Sequence, residues 1–405
     1  MTAIAEETTS TEEQSTAISG VVDLVDGRGF LRTAGYRRSA DDIPITQAQV
    51  RQHGLRAGDH IDGTAGTRRG STPQNKARQD KPPAKDKPPL KDRALLTVDF
   101  VNGLPAAEVR HRPDFDDLTP VYPNQRFRLE DGDPSRTARI IDLVSPIGKG
   151  QRGLIVAPPK AGKTTVLKTI AHAIATAYPE VHHMLVLVGE RPEEVTDLRR
   201  TVRGEVIAST FDQSPSDHIK AAELAIERAK RLAELGRDVV VMLDSLTRLG
   251  RAYNLAAPAS SRTLTGGVAV SALQPPRQFL GAARCLEEGG SLTILSTALI
   301  DTGSQLDNVL FEEFKGTGNM ELRLRRDLAE KRLFPAIDPV PSGTRREDLL
   351  MDPAEHAAVV TLRRALAALD SQHALELLLE KTGAPNEQFL RQFSAAKSQP
   401  LRPAG

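Results

Sequence analysis

What this chain lacks narrows its class before any motif is read. Its 405 residues contain a single cysteine, Cys285, so an intramolecular disulfide and a cysteine-rich zinc site are both excluded. In its apolar stretch that thiol reads as an inert core residue. No run approaches the roughly 18 continuous apolar residues of a membrane-crossing helix. The opening stretch, MTAIAEETTSTEEQSTA, is acidic and polar, without the basic and apolar blocks of a signal peptide. Neither charge is in excess. A net charge of +1 means that any nucleic-acid contact comes from local grooves or loops, not from a globally basic surface. The expectation is a soluble, cytoplasmic protein of two or three domains.

What is present begins with GLIVAPPKAGKTTVLKTIAHAI, Gly153 to Ile174. Leu154, Ile155 and Val156 read as a short buried strand, and Val166, Leu167 and Ile170 recur at helical spacing. Between them, Ala157-Pro158-Pro159-Lys160-Ala161-Gly162-Lys163-Thr164 matches the phosphate-binding loop G-x-x-x-x-G-K-[ST] except for alanine at its head. Backbone N–H groups and the following helix terminus suit a polyphosphate, so the loop, through Thr165, is read as a nucleoside triphosphate site. Lys163 reaches the β and γ phosphates, and the Thr164 hydroxyl joins a Mg2+ shell. Val239 to Leu243 form an apolar strand ending in Asp244, the second magnesium group. A third strand, Met184 to Val188, leads to Glu190, placed to polarise the attacking water as general base. The alternative on spacing alone is a surface glutamate capping the helix after Pro192.

Longer runs carry a family resemblance. ERPEEVTD (Glu190–Asp197), LDSLTRLGRAYN (Leu243–Asn254), LTGG (Leu264–Gly267), EEGGSLTILSTALIDTGS (Glu287–Ser304), FEEFKGTGNMEL (Phe311–Leu322) and EKRLFPAID (Glu330–Asp338) resemble the Rho family of transcription termination factors. APPKAGKT is that family's form of the loop. The resemblance is dense from about Val121 to Leu350 and weaker before it. It implies an α/β fold, a RecA-like P-loop ATPase core preceded by a small OB or cold-shock-type β-barrel and followed by a helical segment. It also implies a homohexamer that hydrolyses ATP, moves 5′ to 3′ along single-stranded nascent RNA and acts on the RNA polymerase elongation complex.

The expected organisation is a disordered acidic tail at 1–18 and a barrel at 19–103 interrupted by a basic, proline-rich insertion at 67–93. A connector at 104–120, the ATPase core at 121–350 and a helical cap and tail at 351–405 complete it. The barrel resembles the family's primary RNA site, with Phe30 and Arg32 as candidate contacts. Arg28 and Pro44 stand where the family has aromatic residues. Tyr36 is a possible substitute platform, and the alternative for Phe30 is a core residue. Nine Lys and Arg against three Asp in Arg68–Arg93 offer phosphate attraction, or simply a solvated linker.

The resemblance implies a second RNA site on two loops lining the ring's channel. One, Pro258–Gly267, contributes Arg262, Thr265 and Gly266; the other contributes Gly303, Ser304 and Gln305, the last where the family carries Lys or Arg. It further implies Arg345 as an arginine finger acting in trans, Arg191 as a coupling residue beside the base, and Phe334 as the adenine-stacking ring. A rotary or secretion-type ATPase, a recombinase, and a Rho relative with decayed RNA sites are the alternatives. Arg28, Pro44, Gln305, and Gly189 in place of the usual Asp, favour the last of these.

Overall fold

The Asp26–Gly27 pair turns the chain with both residues in the left-handed region, φ 48° and 74°, the requirement of a tight hairpin between right-twisted strands. It joins β1 (Thr16–Val25) to β2 (Arg28–Arg32) in antiparallel register, Val25 opposite Arg28. The computed structural model in which this is seen describes residues 15–67, 93–264 and 266–398. It divides the chain into two units, Met1–Arg112 and Pro113–Gly405.

In the first unit β3 (Ile43–Ile45), β4 (His60–Thr67), β5 (Arg93–Val101) and β6 (Leu104–Pro105) complete a six-stranded sheet in the order β3-β2-β1-β4-β5-β6. The sheet curls so that β3 packs against β5, around buried Val22, Leu31, Ile43 and Ile61. Helix α1 (Gln47–His53) is started by a Thr46/Gln49 capping box and stopped by left-handed Gly54. Thr67 pairs with Arg93, so the basic segment is an insertion between two paired strands; its residues 68–92 lie outside the described residues. Of the expected acidic tail, residues 1–14 lie outside them too, and Thr16–Ile18 belong to β1. Leu104–Pro105, within the expected connector, belongs to the barrel sheet.

The second unit is α/β. After helix α2 (Arg136–Val144), β7 (Arg152–Ala157) and helix α3 (Lys163–Ala177) frame the glycine-bearing loop. Then come β8 (His182–Glu190), α4 (Pro192–Thr201), β9 (Glu205–Thr210), α5 (Pro215–Ala233), β10 (Asp238–Asp244) and α6 (Leu246–Ala256). Helix α7 (Val270–Gly281), β11 (Ser291–Leu299), α8 (Gln305–Lys315), β12 (Met320–Arg323) and β13 (Gly343–Thr344) follow. The main path of the sheet runs β9-β8-β10-β11-β7-β12-β13. Its first six strands are parallel, and β13 closes the edge antiparallel to β12.

Strands covered on both faces need continuous apolar sequence. Val239–Leu243 and Leu154–Ala157 are buried accordingly, each large side chain contributing about 1.5–3 kcal/mol. Helices α9 (Pro353–Ala367), α10 (Ser371–Lys381) and α11 (Asn386–Ser398) end the described chain. Val359, Leu362, Leu375 and Leu378 bury into the same core as α3. The parallel register brings the carboxyl ends of β7, β8, β10 and β11 to one rim, where open α/β sheets bind ligands.

Candidate nucleotide site and nucleic-acid surfaces

Between β7 and α3 the chain turns at Lys160 (φ 68°) and Gly162 (φ 89°). Gly162 is the N-cap of α3 and offers no side chain to the helix's first N–H groups, which leaves them free for an anion. A Cβ built there would meet only the Phe334 ring, at 4.0 Å. Phe334, about half exposed, thus lies over the loop. Pro158 and Ala161 are buried, whereas Lys160 and Thr165 face solvent. The carbonyl of Pro159 accepts from Arg326 Nε at 3.2 Å.

Three charged groups from three elements converge. Lys163 Nζ lies 3.4 Å from Glu190 Oε1 and donates to Asp244 Oδ1. Thr297 Oγ1, on β11, donates to that same Asp244 oxygen at 2.7 Å. Both carboxylates are nearly inaccessible, 3% for Glu190 and 2% for Asp244. Burial, then the neighbouring Asp244 charge, pushes the Glu190 carboxyl up to about 7, with Lys163 and Arg248 pulling it back. Glu190 is therefore in the sheet's interior rim and does not cap a helix at the surface; Arg191 is the N-cap of α4, with an exposed side chain. Gly189, at φ 67°, is a bulge: Val188 pairs with Ser209 and Glu190 with Thr210, leaving the glycine unmatched. A glycine inside a strand pattern signals such a bulge, which re-aims the following side chain.

Helix α6 starts directly after Asp244 and carries residues that pattern reading did not single out. Arg248 Nη2 is 3.4 Å from Glu190 Oε2. Three residues on, Arg251 grips Asp307 through two bonds, 2.8 and 2.5 Å; Asp307 also accepts from Thr302 Oγ1 at 2.5 Å. Three further on, Asn254 Nδ2 donates to the Gly267 carbonyl at 3.2 Å and its Oδ1 accepts from Ala269 N–H at 2.7 Å. One helix face thus touches Glu190 and the loop at Gly267, and reaches Thr302 of the second loop through Asp307. The signal was present in LTRLGRAYN as polar residues at i, i+3 and i+6.

The two loops meet each other, since a Cβ on Gly266 would come 3.1 Å from the Gln305 carbonyl carbon. Arg262 and Gln305 are exposed, Gly303 has φ 76°, and Ser304 caps α8. Thr265 lies outside the described residues.

In the barrel, Val25, Asp26, Arg28, Phe30, Arg32, Arg38, Ser39 and Asp42 line a cleft of about 610 Å3. Phe30 is half-buried, opposite Pro44 of β3. Arg32 differs from a free cation. Its guanidinium, 3% exposed, is bound by Asp23 and Asp42 and lies 5.2 Å from the Phe30 ring centre. Tyr36 is not among the lining residues.

Arg345 stands apart from the Lys163 cluster. It follows β13, its N–H bonded to the Asn319 carbonyl at 2.8 Å, and Asn319 Oδ1 accepts from Arg152 N–H, the first residue of β7. Arg345 thus belongs to the amino end of β7 and Lys163 follows the carboxyl end.

The Rho termination factor RNA-binding domain matches residues 18–107. The nucleotide-binding domain of the ATP synthase alpha/beta family matches residues 137–344. The transcription termination factor Rho of Streptosporangium roseum is 55% identical over 377 residues, 93% of this chain and 91% of that protein. The chain belongs to the transcription termination factor Rho family. The Rho of Streptomyces lividans is 55% identical over 95% of this chain and 52% of its own length. That of Mycobacterium tuberculosis H37Rv is 53% identical over 93% of this chain and 61% of its own. The chain therefore spans a little over half the length of these longer Rho relatives. A type III secretion system ATPase shares the fold, with a TM-score of 0.59 at 23% identity over 74% of this chain and 91% of its own. The first unit is thus an OB-type Rho RNA-binding domain and the second a RecA-like P-loop core. Among the described residues no helix is long and apolar enough to cross a membrane.

Proposed function

We propose that this chain is an RNA-dependent ATPase that assembles as a homohexamer, moves 5′ to 3′ along single-stranded nascent RNA and terminates transcription by the RNA polymerase elongation complex, in the cytoplasm. The observation that carries the reading is the Lys163–Glu190–Asp244 cluster beneath the loop of Pro158 to Thr165, in a chain whose first unit belongs to an RNA-binding family. In the nucleotide-free cluster the single Lys163 charge is shared between the two carboxylates; with ATP present it turns to the β and γ phosphates. Thr164 and Asp244 supply the hard oxygen donors that suit Mg2+ together with water, and the ion neutralises charge on the phosphates. Glu190, raised toward neutrality, is suited to take a proton from the attacking water. Phe334 stacks the adenine, and Arg191 couples the base to the ring interface.

Arg345 serves the neighbouring subunit. β7 has six residues, so its ends are roughly 20 Å apart at about 3.3 Å per residue, beyond an arginine's reach to its own loop. The joining of Arg248 to Glu190, of Asn254 to the Gly267 loop and of Arg251, through Asp307, to Thr302 supports channel RNA, held at Arg262, Thr265, Gly266, Gly303, Ser304 and Gln305, altering the base's position. A second reading, a ring with slow RNA-indifferent turnover, draws on the sequestered Arg32 and the neutral Gln305. ATP turnover with and without single-stranded RNA separates the two. Stimulation by RNA is expected. Equal turnover in both arms favours the second reading, and absence of turnover overturns the ATPase assignment.

A further inference from the structure

The carboxyl-terminal helices have no part in the function proposed above, yet one of them holds the segment that presents Arg345. We propose that Arg363, on α9, is a positioning residue for Arg345, so that the carboxyl-terminal cap serves the neighbouring subunit's nucleotide site. The inference rests on Arg345 acting in trans.

Helix α9 is fixed in place before it reaches the turn. Asp352 caps its first N–H groups at 2.9 Å, and Val359, Leu362 and Leu366 are buried along one face. Arg363 then joins three segments. Its Nη1 donates to the Ser342 carbonyl at 3.0 Å, and its Nη2 donates to the Val144 carbonyl at 2.5 Å and to Glu347 Oε2 at 3.0 Å. Ser342 and Glu347 bracket Arg345 in sequence, and Val144 ends α2. The planar guanidinium fork makes such a multi-point clamp; an ammonium is a single point charge.

The rest of the turn is fastened with similar redundancy. Thr344 Oγ1 donates to the Pro146 carbonyl at 2.7 Å, and Ser342 Oγ donates to the Asp338 carbonyl at 2.6 Å. Arg346, left-handed at φ 56°, pairs with Asp348 and lies 5.4 Å from the centre of the Tyr122 ring. A left-handed arginine persists only where its surroundings over-determine it. From Ser342 to Asp348, Arg345 has the one polar side chain without a hydrogen bond or ion pair among the described residues, and it is exposed. Its positive charge is felt by half-buried Arg152, whose guanidinium pKa is lowered by burial and then by Arg284 and Arg345. A cation held beside other cations, on a turn otherwise bonded throughout, is arranged to meet an anion from outside the chain.

Displacing a catalytic group by about 1 Å can cost 10²-fold in rate. Arg363→Met keeps the stem and removes the fork, so it is expected to lower kcat for ATP at least about tenfold with KM unchanged, and Arg363→Lys to recover part of that. The deciding arm is the double variant: Arg345→Ala with Arg363→Met is expected to be no slower than Arg345→Ala alone. Equal slowing by Arg363→Met in both backgrounds would overturn the proposal and leave Arg363 a general structural residue. Wild-type turnover of Arg363→Met beside a slow Arg345→Ala would overturn it too, while the finger itself stands. Wild-type turnover of Arg345→Ala would remove the finger reading and the inference with it. Should Arg363→Met fail to assemble, Glu347→Gln in the same two backgrounds is decided by the same non-additivity.

Discussion

The nucleotide rim and the barrel cleft are both lined by charged residues, but they hold them differently. At the rim Glu190 and Asp244 are buried at strand ends and bonded to the half-buried Lys163 at the start of α3. In the cleft Arg28 is open, Phe30 is half-buried and Arg32 is closed off by two aspartates. The first arrangement has little freedom: each group's position follows from the backbone, and its neighbours set its charge. The second is a surface on which one side chain can replace another without disturbing the sheet beneath. On the function proposed above, the rim's chemistry is held in place while the cleft's means of gripping RNA is free to shift, and a shift from stacking toward charge is what the tests below address.

The largest effect expected is at Arg345. An arginine finger contributes roughly 10³–10⁵ in turnover, so Arg345→Ala should lose at least about 10³-fold. When variant subunits are mixed into wild-type rings, activity should drop further than dilution predicts. A strictly proportional decline in rings shown to mix would make the residue's action local.

Next is the rim itself. Glu190→Gln should keep ATP binding and lose at least about 10²-fold in turnover, the low end for a general base. The pH dependence has two signs. As the proposed general base Glu190 acts ionised, so wild-type turnover should fall as pH drops below about 7. Stability runs the other way. A carboxyl raised above its unfolded value binds the extra proton in the native state, so its contribution is present below about 4.5 and lost as pH rises to about 7. Nucleotide-free Glu190→Gln should then melt above wild type at pH 8, with the gap closing toward pH 4.5. An equal gap at both ends would mean that burial of this charge is not what separates rim from cleft.

Smaller effects belong to the cleft. Phe30→Ala removes the one ring lining it among the described residues, and one stacked base corresponds to about 1–3 kcal/mol, so RNA affinity should weaken by about tenfold. Arg28→Phe should strengthen binding by a similar or smaller factor and make it less sensitive to salt. No change in either variant would take the cleft out of RNA capture altogether.

Much of the rim was legible in the sequence because its residues sit in contiguous runs whose strand–loop–helix context is itself a pattern. Asp244 lies where periodicity predicts a strand end, and Gly162 and Lys163 where it predicts a helix start. Glu190 was ambiguous on spacing, and only the parallel register of β8 beside β10 resolves it toward the interior. Gly189, which reads as a departure, is the bulge that re-aims Glu190. The contacts of Arg248, Arg251 and Asn254 were hidden because their partners are distant in sequence. The closing off of Arg32 depends on Asp23 and Asp42, which reach it only through the pairing of β1 with β2 and the turn before β3. Spacing identifies a side chain's element; it does not identify what occupies that side chain's bonds.

The most direct test of the contrast between rim and cleft is RNA affinity across a salt series, for wild type and for a chain lacking Arg68–Arg93. Each phosphate contact to a single strand steepens the dependence of log affinity on log salt by about 0.7, and the deleted segment carries nine Lys and Arg against three Asp. The deletion should weaken binding and flatten the slope by about one or more, with the barrel still folded. An unchanged slope would contradict capture by charge and return RNA binding to the barrel face or the channel loops.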